Sequence, residues 1–163
     1  MDGTLRVCVK PAANGRDALA GCVVRVQLYD PSGEAVFDEL PSAEVDADPR
    51  IVPQANIEAP VPAPLQWSDE HPQLYTVVVT LCDADGADLE HVSCRAGFRR
   101  VEIRDGKLMV NGRKVLLKGV NRHEHDDLRG KAVTEESMLA DLRLLKRFNF
   151  NAVRTAHYPN CPR

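Results

Sequence analysis

The sequence lacks the features that would put it in a membrane, on a nucleic acid or in a disulfide scaffold. It opens Met1-Asp2-Gly3 with no basic n-region and no long apolar run, so no secretory leader is visible and the cytoplasm is the expected location. Positive charge is nowhere concentrated. The 21 Lys and Arg are scattered among 24 Asp and Glu, for a net charge of −3, and no cationic stripe exists to grip phosphates. Neither a nucleic acid nor a membrane is an expected partner. Cys8, Cys22, Cys82, Cys94 and Cys161 are odd in number and none forms a CxxC pair, which suits neither a disulfide framework nor a zinc site. Buried thiols are expected at most of these positions. No convincing helical pattern precedes residue 130.

What is present suits a globular chain. The sequence is 44% hydrophobic and 28% charged over 163 residues, enough for one small domain and part of a second. Within residues 22–29, Val24, Val26 and Leu28 fall on one face of a strand, and Asp30-Pro31-Ser32-Gly33 follows as a turn. Tyr75, Val77, Val79 and Leu81 repeat the alternation, residues 83–86 supply another turn, and Val92, Cys94, Ala96 and Phe98 alternate on the returning strand. Between them, residues 38–66 hold six of the 11 prolines and many acids, a composition of edge strands and long surface connections. Short alternating strands joined by turns predict an immunoglobulin-like β-sandwich over residues 1–100.

The pattern then changes. Asp105-Gly106 and Asn111-Gly112 are both type I′ turn pairs, and they bracket residues 107–110 as a short strand in a β-meander. Residues 115–120 form an apolar run of strand length. Residues 134–147 have helical spacing, with Met138, Leu142 and Leu145 on one face, Thr134 as the cap, Glu135 and Glu136 at the positive end, and Lys146 and Arg147 at the negative end. Asn149 suits a left-handed cap, after which residues 150–154 return to extended chain. Strand, helix and strand of these lengths predict one βαβ unit, with parallel pairing and a right-handed crossover. Residues 101–163 are read as the start of a (β/α)8 barrel.

In such a unit both strands run the same way, so residues 121–125 (Asn-Arg-His-Glu-His) and 154–158 (Arg-Thr-Ala-His-Tyr) emerge at one carboxyl edge, the edge that carries active sites in barrels. His123-Glu124 lacks the second histidine four positions on that a zincin requires, while a His-x-His metal site remains open. For His125, Asp126 and Asp127 the reading is a solvated loop with local turn hydrogen bonds. Arg154 is either half of a strand-end ion pair or a guanidinium turned into the barrel mouth to orient a carboxylate. His157 is either a half-buried ring satisfied by backbone or one held and aimed by its link to Tyr158-Pro159.

Taken together, GVNRHEH (residues 119–125) and FNAVRTAHYPN (residues 150–160) resemble family two glycoside hydrolases, most closely the β-galactosidase branch. The likeness runs back through VEIRDGKLMVNGRKVLLK (residues 101–118), Gly97-Phe98-Arg99, Trp67-Ser68 and Pro72-Gln73-Leu74-Tyr75. His125 after His123-Glu124, and Asn160 after Tyr158-Pro159, are similar to the galactosidase branch, where β-glucuronidases usually show Asp and Tyr. The resemblance implies a retaining hydrolase of terminal β-D-galactosides built from a jelly roll, an immunoglobulin-like domain and a catalytic barrel. This chain would hold the second of these and the opening of the third.

By the same resemblance, His123 and His157 match histidines that hydrogen-bond the galactosyl group, and Arg154 matches an arginine beside the nucleophile. No catalytic residue is expected in this chain, since the family's two glutamates and its magnesium ligands lie beyond Arg163. Mg2+ and Na+ are expected cofactors of the full-length enzyme, which is expected to be homo-oligomeric. The chain alone is expected to be inactive, its sandwich able to fold and its barrel stub, with unpaired strand edges, prone to fraying or aggregation. The alternatives are a β-glucuronidase of the same family, a non-catalytic β-sandwich module for carbohydrate or protein, and a metal-binding protein using His123, His125 and His157.

Overall fold

Strict apolar alternation places most of the first unit. The computed structural model describes residues 2–13, 16–48 and 50–161 and divides the chain into two units, residues 1–99 and 100–163. In the first, β1 (Gly3–Val9), β2 (Val23–Tyr29), β3 (Ser42–Glu44), β4 (Ala55–Val61), β5 (Tyr75–Cys82) and β6 (Asp88–Ala96) form two antiparallel sheets, β1–β4 and β3–β2–β5–β6. One turn of 3-10 helix, Arg16–Leu19, lies between β1 and β2.

Every second residue of β2, Val24, Val26 and Leu28, is fully buried, and they share one core with Leu5, Ala55, Ile57 and Val61 from the other sheet. An immunoglobulin-like sandwich results, as the alternation predicts. Asp30 closes the turn after β2 by accepting from the Ser32 and Glu34 N–H groups and the Ser32 hydroxyl, which holds its carboxyl below the usual carboxylate range.

The edge strands expected in residues 38–66 are present, β3 at the rim of one sheet and β4 in the two-stranded other, and β4 alternates without a break, Ala55, Ile57, Ala59 and Val61 inward and Asn56, Glu58 and Pro60 outward. Its proline is tolerated because a two-stranded sheet leaves each strand one unpaired side. A register shift between Leu81 and Cys82 marks a bulge in the pairing with β6, while β5 keeps its alternation against β2: Leu81 pairs with Val24 and packs against the core, and Cys82 pairs with Val23. Strand β6 forms in register with β5, yet Val92 is 53% exposed. The facing sheet has only two strands, and an open cleft lined by Val9, Val79, Leu81 and Val92 marks where its cover stops.

The cysteines follow the same geometry and correct the expectation of mostly buried thiols. Cys22 and Cys82 are buried, whereas Cys8 occupies an outward position of β1, Cys94 lies on the uncovered β6, and Cys161 is exposed in a loop. After β6 the chain closes on Trp67. The Trp67 N–H donates to the Phe98 carbonyl, Arg99 lies 4.7 Å over the indole, and Phe98 packs edge-on to Tyr75 at 5.0 Å. Any side chain at Gly97 would put its Cβ 2.8 Å from that of Trp67, so the approach requires glycine.

In the second unit β7 (Val101–Arg104), β8 (Lys107–Val110) and β9 (Arg113–Lys114) form an antiparallel meander. Both connecting turns have positive φ at both central residues, 51° and 69° at Asp105-Gly106 and 51° and 75° at Asn111-Gly112, as type I′ turns need. Strand β10 spans Gly119–Arg122, not residues 115–120. Residues 116–118 are held instead by Asn151, whose side chain accepts from the Lys118 N–H and donates to the Leu116 carbonyl, and ladder pairing starts only at Gly119.

Helix α1 (Glu135–Arg147) follows, with the Thr134 hydroxyl accepting from the Ser137 N–H at 3.2 Å. It ends in a Schellman motif. Asn149 has φ of +65°, its N–H donates to the Lys146 carbonyl, and the Phe150 N–H donates to the Leu145 carbonyl. Strand β11 (Ala152–Thr155) then pairs parallel to β10. No residue of α1 is buried, and among the described residues no helix is long and apolar enough to cross a membrane.

Leu28→Ala is expected to destabilise the first unit by about 2–5 kcal/mol, the range for truncating a leucine in a closed core. Denaturant unfolding followed by the fluorescence of Trp67 measures this, and the same loss is not expected for Leu142→Ala on the 44%-exposed face of α1.

Candidate functional site at the paired strand ends

The parallel register sets the site. Asn121 pairs with Arg154 and Arg122 with Thr155, so the ends of β10 and β11 stand side by side. Successive residues of a strand point to opposite faces, and the two faces here carry different loads. Arg122, with only 12% of its side chain exposed, turns to the helix and holds Asp141 by Nε and Nη2, each 2.9 Å from Oδ2. On the other face Arg154 Nη1 donates to Asn121 Oδ1 across the strand pair at 3.3 Å.

Beyond the strands the loops bring the predicted residues together. Arg154 Nη1 lies 3.3 Å from His157 Nδ1, and the rings of His157 and His123 meet edge to face, 5.3 Å between centroids. His123, Arg154 and His157 thus form one exposed cluster. The hydrogen bonds of Arg154 go to an amide oxygen and an imidazole, not to the strand-end carboxylate that its structural reading required. His157 is exposed and held by a side chain, so the reading of a half-buried, backbone-satisfied ring does not apply.

Tyr158, whose link to His157 the sequence reading used, has partners that the sequence did not single out. The Tyr158 hydroxyl accepts from the Glu124 N–H at 2.8 Å and donates to the Glu124 carbonyl at 3.1 Å, while the buried Glu124 carboxylate accepts from the Cys161 N–H at 2.9 Å. Each histidine therefore neighbours one end of this clamp, His123 beside Glu124 and His157 beside Tyr158. Partners 34 residues apart leave no local spacing to find them by; the one available signal is an acid, Glu124, inside an otherwise basic run. Lys131 adds a cation 5.3 Å over the Tyr158 ring.

The following loop is self-contained. Asp126 accepts from the Leu128 and Arg129 N–H groups, which hold its carboxyl below its ordinary value, and Asp126 and Gly130 exchange backbone hydrogen bonds. This is the solvated loop with local turn bonds that residues 125–127 suggested. Among the described residues no three His, Cys, Asp or Glu side chains gather so that they could hold a metal ion. His123, His125 and His157 are accordingly not brought together as ligands.

The cluster is rich in donors and poor in available carboxylates. It can bind and orient a hydroxyl-bearing ligand, or an anionic group through the guanidinium. The chain thus carries an immunoglobulin-like sandwich and the opening strands and helix of a (β/α) barrel, with this donor cluster at the carboxyl ends of the paired strands. The chain belongs to family 2 of the glycosyl hydrolases: residues 1–99 match that family and residues 101–163 match its TIM barrel domain.

Among curated proteins it is 47% identical over 146 residues to a β-galactosidase of Photobacterium profundum, which covers 86% of this chain and 14% of that protein. It is 45% identical over 166 residues to a β-galactosidase of Klebsiella pneumoniae, covering 99% of this chain and 16% of the relative. The chain thus spans about a seventh of the length of these relatives. Among solved structures it is similar to a β-glucuronidase of Parabacteroides merdae, with a TM-score of 0.78 and 28% identity over 98% of this chain and 19% of that one. A β-glucuronidase of Bifidobacterium dentium in complex with coumarin-3-O-glucuronide shares the fold at a TM-score of 0.86, with 23% identity over 99% of this chain and 24% of that one.

Tyr158→Phe removes a donor and an acceptor at once and is expected to cost about 1–2 kcal/mol locally, a 5–30-fold faster exchange of the Glu124 amide proton. Native-state hydrogen exchange reads this directly. A second outcome concerns acid. The Asp126 carboxyl is lowered from 3.8 in the folded loop, so its contribution is present above that value and lost as pH falls through the lower, folded one. Leu128 and Arg129 amides are expected to lose protection in that acid range, and Asp126→Asn to lose the same protection at neutral pH.

Proposed function

We propose that this chain supplies sugar-holding residues to a retaining β-galactosidase, with His123 and His157 donating hydrogen bonds to the galactosyl group and Arg154 standing beside the nucleophilic carboxylate. The observation that carries the reading is the exposed cluster of His123, His157 and Arg154 on the adjoining ends of two parallel barrel strands. Three groups braced in one place can select a polyol by hydrogen bonds that strengthen as charge develops at the reacting carbon.

Galactoside is favoured over glucuronide by His125 and Asn160, which follow the galactosidase pattern, and by β-galactosidase relatives at 45% and 47% identity. The second reading, a β-glucuronidase, draws support from the solved β-glucuronidase at 28% identity and a TM-score of 0.78. A guanidinium beside the sugar also suits a substrate carboxylate.

Bond cleavage with retention needs two carboxyl groups about 5 Å apart, one to protonate the leaving oxygen and one to attack the anomeric carbon. In this cluster the Glu124 carboxylate is buried and engaged by the Cys161 N–H, and that of Asp126 is engaged by its own loop. Neither is poised for that chemistry. The reading therefore assigns the reacting pair to the longer enzyme. It does the same for the magnesium and sodium expected of the longer enzyme.

The isolated 163-residue chain is expected to give no turnover of a nitrophenyl β-galactoside above background; turnover abolished by His157→Ala would overturn the proposal. The positive arm exchanges residues 119–161 into the Photobacterium profundum relative. That chimera is expected to cleave the galactoside in preference to the glucuronide, and His157→Ala within it to lower kcat/KM by about 10–100-fold, the loss of one well-placed hydrogen bond in the transition state. Preference for the glucuronide would select the second reading.

A further inference from the structure

Which nitrogen of His157 carries the proton is decided by its neighbour. A guanidinium has five N–H donors and no acceptor, and it stays charged in proteins. Arg154 Nη1 lies 3.3 Å from His157 Nδ1, and that contact is a hydrogen bond only when Nδ1 presents its lone pair. A proton on Nδ1 would set one N–H against another at the same distance, beside a positive charge. Arg154 is also not free to turn away. The same Nη1 donates to Asn121 Oδ1 at 3.3 Å, and Asn121 is the register partner of Arg154 across the parallel pair. Since Nη1 bears two hydrogens, one bond to the amide and one to the imidazole are made together.

We propose that Arg154 is a positioning residue that fixes neutral His157 as the Nε2–H tautomer, so that the ring offers a donor, and not a lone pair, at its outer nitrogen. On the function proposed above, which this inference rests on for its ligand, that donor meets a hydroxyl oxygen of the sugar. The consequence is sharp for chemistry: with Nδ1 engaged and Nε2 protonated, His157 holds the sugar and cannot take a proton from it. The Asn121–Arg154–His157 chain is thus a relay of orientation, running from a strand-paired amide through a cation to an imidazole.

The test needs no sugar. The full chain is labelled with 15N at histidine and long-range 1H–15N correlations are recorded at about pH 8, above the ordinary imidazole range. His157→Gln identifies the signals by their loss. A single pattern with protonated Nε2 and bare Nδ1 is expected for His157 in the unaltered chain. Arg154→Met, of similar length without a donor, is expected to give a mixture of the two tautomers, and Arg154→Lys, again only a donor, to retain the single pattern. Amide signals of β10 and β11 report whether the methionine variant stays folded; where they are lost, the lysine variant decides, with a mixture counting against the proposal. An Nδ1–H pattern or a mixture in the unaltered chain, or no change in a folded Arg154→Met, overturns it. A chimera indifferent to His157→Ala beside an intact single tautomer would instead remove the sugar-binding reading and leave the tautomer assignment standing.

Discussion

Four residue pairs of parallel strand, Gly119 with Ala152 through Arg122 with Thr155, determine where the chemistry-bearing side chains of the second unit stand. The pairing is tight. A Cβ at Gly119 would lie 3.0 Å from both the Cβ and the carbonyl oxygen of Ala152, so this close entry is open to glycine alone without displacing the partner backbone. A slip of one residue would exchange the faces and send Arg154 toward the helix and away from Asn121. Asn151 guards against the slip, because its side chain bonds Lys118 and Leu116 immediately before the ladder begins. The site thus depends on a register fixed by one glycine and one asparagine outside the His123–Arg154–His157 cluster.

Within these 163 residues the helix that joins the two strands is held by local terms. None of its residues is buried, and Leu142 and Leu144 are 44% and 52% exposed. Local terms carry it: the Thr134 cap, acids in the first turn, bases in the last and the Schellman closure at Asn149. Each is worth about 0.3–1 kcal/mol, which is marginal for a helix of 13 residues without a packed face. The Arg122–Asp141 pair is the strand-to-helix anchor, and its 12%-exposed guanidinium makes it stronger than a fully solvated pair. Order at the histidines comes instead from the Tyr158–Glu124–Cys161 clamp, which ties loop to loop and bypasses the helix.

How much of this was legible in the sequence follows from the range of each interaction. Period-two alternation located β2, β5 and β6, and turn chemistry located both type I′ turns, because each is written within a few residues. The same alternation is present in β4, where six prolines nearby masked it. Residues 115–120 went astray because pairing, not hydropathy, decides where a strand begins. At the site, parallel strand direction was enough to bring His123, Arg154 and His157 to one edge. The clamp beneath them was not legible, since Glu124 and Tyr158 are joined only through tertiary geometry.

The geometry of Arg154 also bears on how such a site divides its labour. Among the described residues its hydrogen bonds use Nη1 alone, which leaves the Nε and Nη2 edge, two parallel N–H groups in the plane of the guanidinium. That edge matches a carboxylate in bidentate fashion, whereas a single Nη1 cannot. One side chain can then do two things at once on the proposed reading, aiming the His157 donor with one nitrogen and steadying a reacting carboxylate with the other two. A lysine has one nitrogen at the end of a flexible stem and could do one or the other. On that reading the arginine couples the holding of the sugar to the placing of the group that attacks it.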